Sequence, residues 1–200
     1  MVLTENTDFD TLKKAFLSAV EYGKRSSNSP KIIRMLRKGG NHIFHRVNTP
    51  DGIPVMYIFH VNKKRMVYDV LLVLQGSEGE AFADYYFPTD ELVMIHSHAI
   101  NRYIERHGFK GSLEECQKHI ILNTEMQSIV LDEITNERKM YFDGGCFIGY
   151  QDGNIYHMKT FVMNRQLFPN QRMESLKSEK RKDALLQIGL RPVINPDKVI

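Results

Sequence analysis

The 200-residue chain has few cysteines and no long apolar run, and each shortage removes a class of protein. Its two cysteines, Cys116 and Cys146, lie in apolar segments and read as reduced core thiols. No stretch reaches the roughly eighteen apolar residues of a membrane span, so no membrane partner is expected. The opening MVLTENTDFD is acidic and polar, unlike a secretory signal, and the expected location is the cytoplasm. A GxGxxG or Walker pattern is missing, which excludes the usual nucleotide cradle. No nucleophile elbow surrounds a serine. Internal repeats, low-complexity stretches and linkers are missing as well.

What is present fits one sizeable core. Hydrophobic residues make up 42% of the chain and charged residues 26%, ordinary values for a globular protein. The net charge of +3 decides little, but its distribution is uneven: Lys24 to Lys38 and Lys159 to Lys182 concentrate the positive residues. Clusters of this kind either bind phosphates or form solvated helix faces. The candidate partners are therefore RNA or another polyanion, or a second protein.

Periodicity supplies the elements. Phe9, Leu12, Phe16, Ala19 and Val20 predict an amphipathic helix over 8–25. Ser29 and Pro30 open a second helix, which Gly39-Gly40 closes. Segments 42–47, 53–61, 66–75 and 80–87 are rich in β-branched and aromatic residues with short turn-like separators, as in an antiparallel meander. Two helices follow, the second opened by a capping box at Ser112 to Glu115 and running to about Asn123. Strand texture resumes from Ser128 to Met163, and 171–188 is charged and helix-favouring. The expected fold is a single α+β domain over 1–200, with 1–40 as a helical appendage. In order it comprises an N-terminal helical hairpin, an antiparallel β-meander, a central helix pair, a second antiparallel β-meander and a C-terminal helix.

The chemistry is concentrated in IHSHAINRYIERHG, Ile95 to Gly108. Ser97 suits an N-cap and Gly108 a left-handed stop. At about 100° per residue, Ala99, Ile100, Tyr103 and Ile104 share one face. His98, Asn101, Arg102, Glu105 and Arg106 share the other. A helix N-terminus favours the neutral imidazole that a general base needs. Arg102 and Arg106 are the candidate phosphate clamps, and Glu105 the orienting group or second acid/base. These parts suit phosphoryl transfer without a metal. The competing reading is the polar side of an amphipathic helix, with Arg102–Glu105 a surface ion pair. His96 and His98 form an H-x-H pair of the type that holds a metal from a strand. No strand-end aspartate or cysteine pair completes the set, and neither metal nor cofactor is expected.

The pattern His98-x3-Arg102-x2-Glu105-Arg106, with Ala99 and Tyr103 between, resembles the HAxxRxxER stretch of small domains of unknown function. Those are related to the RelE/barnase-like superfamily of metal-independent ribonucleases and toxins. The resemblance covers about 94–165. It implies a helix followed by an antiparallel sheet, with catalytic groups projecting from both. The sheet-side group would be Thr160, Lys159 or His157, with Thr160 the first choice. The expected function is a metal-independent, RNase-like enzyme acting on nucleic acid through His98, Arg102, Glu105, Arg106 and Thr160. The alternative is a non-catalytic module that binds nucleic acid or protein. A concave site walled by the later strands favours the enzyme; a flat, wet face favours the binder.

Overall fold

The computed structural model describes residues 2–27, 34, 42–62, 65–123, 129–133, 135–142 and 144–167. The strands among them are β1 (His42–Asn48), β2 (Pro54–Asn62), β3 (Arg65–Gly76), β4 (Gly79–Tyr86), β5 (Glu91–Ile95), β6 (Ile129–Asp132), β7 (Glu137–Phe142), β8 (Gly145–Asp152) and β9 (Ile155–Met163). The helices are α1 (Phe9–Ser27), α2 (Ser97–His107) and α3 (Leu113–Asn123). All nine strands join one sheet in the order β1-β2-β3-β4-β5-β9-β8-β7-β6.

The expectation of two meanders around a helix pair is corrected here: the strands form a single mixed sheet. The reason is β5. Its sequence, ELVMI, does not alternate between apolar and polar, and it runs straight into the histidines of the next helix. Leu92, Val93, Met94 and Ile95 are all buried, as expected of a strand covered on both faces. On one side β5 pairs antiparallel with β4. On the other it pairs parallel with β9, from Leu92↔Ile155 to Ile95↔Met158. The second helix of the expected N-terminal hairpin lies outside the described residues apart from Arg34, which is helical. The expected C-terminal helix at 171–188 also lies outside them.

Helices cover both faces. Asp8 caps α1 by accepting the Thr11 amide at 2.9 Å. The apolar stripe Leu12, Phe16, Ala19 and Val20 then packs on one face, against Val55, Tyr57, Tyr68, Val70 and Leu72. Tyr57 and Tyr68 donate their hydroxyls to the Ala19 and Val20 carbonyls, so these buried phenols are satisfied. On the other face α2 and α3 bury Ala99, Ile100, Tyr103, Cys116 and Ile120 against residues of both halves of the sheet, including Phe82, Val93, Phe147 and Phe161. Cys116 and Cys146 are free and fully buried, and burial pushes their thiols up to about 11 and about 12. No described helix is long and apolar enough to cross a membrane.

An irregularity in β9 aims the side chains that matter below. Ile148 pairs with Thr160 and Gly149 with Met158, so Lys159 is an extra residue in the ladder. Before the bulge, Tyr156 and Met158 face α2; after it, Phe161 and Met163 do. Lys159 and Thr160 therefore both fall on the opposite face, with His157. Gly149 permits this closeness, because a Cβ there would lie 1.7 Å from the His157 carbonyl oxygen. Gly149→Ala should cost about 3 kcal/mol, in the upper range for one substitution. Urea unfolding with an unchanged midpoint would contradict the close approach of β8 and β9.

Candidate functional site

The polar face of α2 is assembled as the spacing suggests. His98 Nδ1 lies 2.8 Å from Glu78 Oε1 in the β3–β4 turn. Arg102 donates from Nε to His98 Nε2 at 3.3 Å and from Nη1 to Glu105 Oε2 at 2.8 Å. Asn101 donates to the Glu78 carbonyl and carboxylate. The His98 hydrogen bond holds the Glu78 carboxyl below the usual carboxylate range. Yet the side chains of His98, Glu78, Arg102 and Glu105 are 40–58% exposed, and each already has a partner within the group. This face is open and internally paired.

The two remaining expected residues leave it. Arg106 donates to the Phe161 carbonyl and ties α2 to β9. Thr160 sits on the opposite face of the sheet from α2, displaced by the bulge at Lys159. Ser97 is corrected as well. It is the first helical residue, and His96 holds the N-cap position without a side-chain cap bond. The cap comes from the N-terminal segment, where the Glu5 carboxylate accepts the Ser97 amide. The Ser97 hydroxyl instead accepts the Glu78 amide at 3.1 Å.

A second cluster forms where β5 ends and its parallel ladder with β9 stops. His96 leaves the carboxyl end of β5, with its amide bonded to the Met158 carbonyl at 3.0 Å. Its Nε2 lies 3.0 Å from His157 Nδ1. Its Nδ1 lies 3.1 Å from Lys159 Nζ and 3.4 Å from Glu5 Oε1. The Tyr150 ring stacks on His157 with centroids 5.0 Å apart, and Lys159 Nζ sits 5.8 Å from that ring. Glu5, His96 and His157 are buried, Lys159 is half-buried, and Tyr150 is 47% exposed. The cluster thus runs from the interior to an accessible aromatic ring.

Burial sets the charges. It drives the His96 imidazole down to about 4, with the Lys159 charge acting in the same sense. Burial also lowers His157 and Lys159, the latter against the opposing pull of Glu5. For Glu5, burial alone would raise the carboxyl. The Ser97 amide and hydroxyl, with His96 and the Ser77 amide, outweigh it and keep the group ionised. Two neutral imidazoles between a carboxylate and an ammonium can pass a proton along their ring nitrogens.

No family model matches this chain, and no curated protein or solved structure is significantly similar to it. The geometry must therefore speak for itself. Among the described residues, no group of three or more His, Cys, Asp or Glu is disposed to hold a metal. His96 and His98 point to different partners, so the H-x-H pair does not close on one ion. Sequence reasoning considered His157 and Lys159 only through the resemblance, and it missed Glu5 and Tyr150. Glu5 is 92 positions from the amide it caps, and no local pattern links the two.

The cluster makes stability depend on pH. An ordinary histidine titrates near 6.5, whereas the folded His96 titrates at about 4. Between those values the unfolded chain binds the extra proton, so stability is full above about 6.5 and falls as pH drops toward 4. The expected loss reaches about 3 kcal/mol, at about 1.36 kcal/mol per pH unit. Glu5 adds a loss of the same sign below 4.5. His96→Asn should flatten the slope between pH 6.5 and 4 in urea titrations. An unchanged slope would mean that His96 is solvated.

Proposed function

We propose that this protein is a metal-independent, RNase-like enzyme that acts on single-stranded nucleic acid by acid–base chemistry, with its site at His157, Lys159 and Tyr150. The observation that carries this reading is the buried His96–His157 pair, which ends beside a cation and an accessible aromatic ring. Each part has a role. His157 exchanges the proton, Lys159 offsets the negative charge that builds on phosphorus, and Tyr150 supplies a stacking surface for a base. On RNA the 2′-oxygen attacks the adjacent phosphorus and the bond to the 5′-oxygen breaks. The 2′-hydroxyl proton leaves, the departing 5′-oxygen gains one, and the products are a 2′,3′-cyclic phosphate and a 5′-hydroxyl. The position at the carboxyl ends of the parallel pair is also where open sheets with parallel strands tend to bind ligands. Two free, buried thiols accord with a reducing compartment, the cytoplasm.

The α2 face is better suited to the alternative role of contact surface. Its arginines already have partners, and an arginine spent on Glu105 or on a main-chain carbonyl is not a free phosphate clamp. Arg102→Lys should change stability by less than about 1 kcal/mol, the scale of an exposed ion pair, and leave turnover unaltered.

The test is cleavage of single-stranded RNA in EDTA, with products resolved by their phosphate ends. His157→Ala should lower the rate by about 10²–10⁴, and His98→Ala should leave it within a few fold. RNA carrying a 2′-deoxy sugar at the scissile position should stay intact. Full activity in His157→Ala would sink the assignment, and loss only in His98→Ala would move it to the α2 face.

A further inference from the structure

His96 Nδ1 has two competing neighbours, and whichever one holds it dictates which nitrogen of His157 carries the outer proton. If Lys159 donates to Nδ1, His96 carries its hydrogen on Nε2 and gives it to His157 Nδ1. His157 then carries its hydrogen on Nε2, the ring nitrogen not bonded to His96. If His96 Nδ1 instead donates to Glu5, its Nε2 accepts from His157 Nδ1–H, and His157 presents a bare Nε2. The contacts at 3.1 Å to Lys159, 3.4 Å to Glu5 and 3.0 Å between the rings put both neighbours within reach of His96 Nδ1.

We propose that Lys159, His96 and His157 form a proton wire that carries the Lys159 proton to His157 Nε2, with Glu5 as the positioning residue that accepts the N–H left on His96. The proposal rests on the reading of His157 as the proton-exchanging group and adds the source of its proton. The balance is simple. His157 Nε2–H gives its proton to the acceptor outside, and the His96 Nε2 proton passes to His157 Nδ1. One Lys159 proton passes to His96 Nδ1, leaving a neutral amine, and reversal takes one proton in from outside. Both imidazoles are neutral before and after, as their burial requires.

The surroundings suit such a wire. Glu5 is fixed by the Ser97 and Ser77 amides, and its segment is held by the Thr4↔Gln75 bridge, so its carboxylate does not swing away. Gly76 leaves room for it, since a Cβ there would lie 2.5 Å from Glu5 Oε1. The titratable groups facing the wire are Glu5 from the N-terminal segment, Tyr150 and Asp152 from β8, and the wire's own members. Lys159 sheds its proton more readily than an exposed lysine because burial disfavours its charge, while Glu5 and Asp152 limit the effect on their respective neighbours.

The experiment is nitrogen-15 correlation spectroscopy of the histidine rings, which tells a protonated ring nitrogen from a bare one without any turnover. In the wild type the His157 proton should move from Nε2 to Nδ1 as pH rises and Lys159 is neutralised. Lys159→Met should hold it on Nδ1 at every pH above the histidine titration. Glu5→Ala removes the acceptor for the N–H left on His96 and should keep the His157 proton on Nε2 while Lys159 is charged. The wild-type titration alone decides the matter should a variant fail to fold. One fixed tautomer throughout that titration, or the same tautomer in both variants, overturns the wire. Tautomer exchange in a protein that cleaves no RNA would leave the wire standing and refute the nuclease.

Discussion

The parallel ladder between β5 and β9 joins two antiparallel groups of strands, β1–β5 and β6–β9, into one sheet, and the His96 amide extends it to the Met158 carbonyl. A parallel pair needs a long crossover, and here the crossover holds α2, α3 and three strands. That excursion lays α2 across the seam, where Tyr103 is buried against Phe147 and Phe161. Without the seam the core under α2, which draws on both groups of strands, would not close. The same seam places His96 next to the Met158–Lys159 segment, so cluster and fold share one cause.

Burial makes the polar cluster costly to assemble and specific once assembled. An unpaired carboxylate or imidazole in this position would lose its hydration with nothing in return. Glu5 avoids that cost by meeting the positive end of α2 through the Ser97 amide, with the Ser77 amide on its other oxygen. Because Glu5 occupies the helix N-terminus, α2 offers no anion site there. The α2 face shows the opposite economy: His98, Arg102 and Glu105 are close and mutually satisfied, but water reaches all of them. Proximity without exclusion of water yields weak interactions.

Local physics was legible in the chain where one element carried all of it. The apolar stripe of α1, the two faces of α2, the stop at Gly108 and the capping box at Ser112 and Glu115 follow from residues within a few positions of one another. Eight of the nine strands were marked by composition and turn residues. β5 was not, because five residues without alternation carry no period to read. Its pairing with β9, more than sixty positions on, has no local signature either.

The sequence by itself determined which side chains each element could present and the burial of both thiols, since periodicity and capping are short-range effects. Only the tertiary structure decided that the two antiparallel groups form one sheet. It also decided that Glu5 caps a helix far along the chain, that one extra residue in β9 turns Thr160 from α2 and Lys159 toward His96, and that the histidine pair is His96–His157 rather than His96–His98. The reason is that strand pairing and bulges are settled by contacts between distant segments. Such contacts are chosen by how well whole faces bury together, which no local window of residues contains.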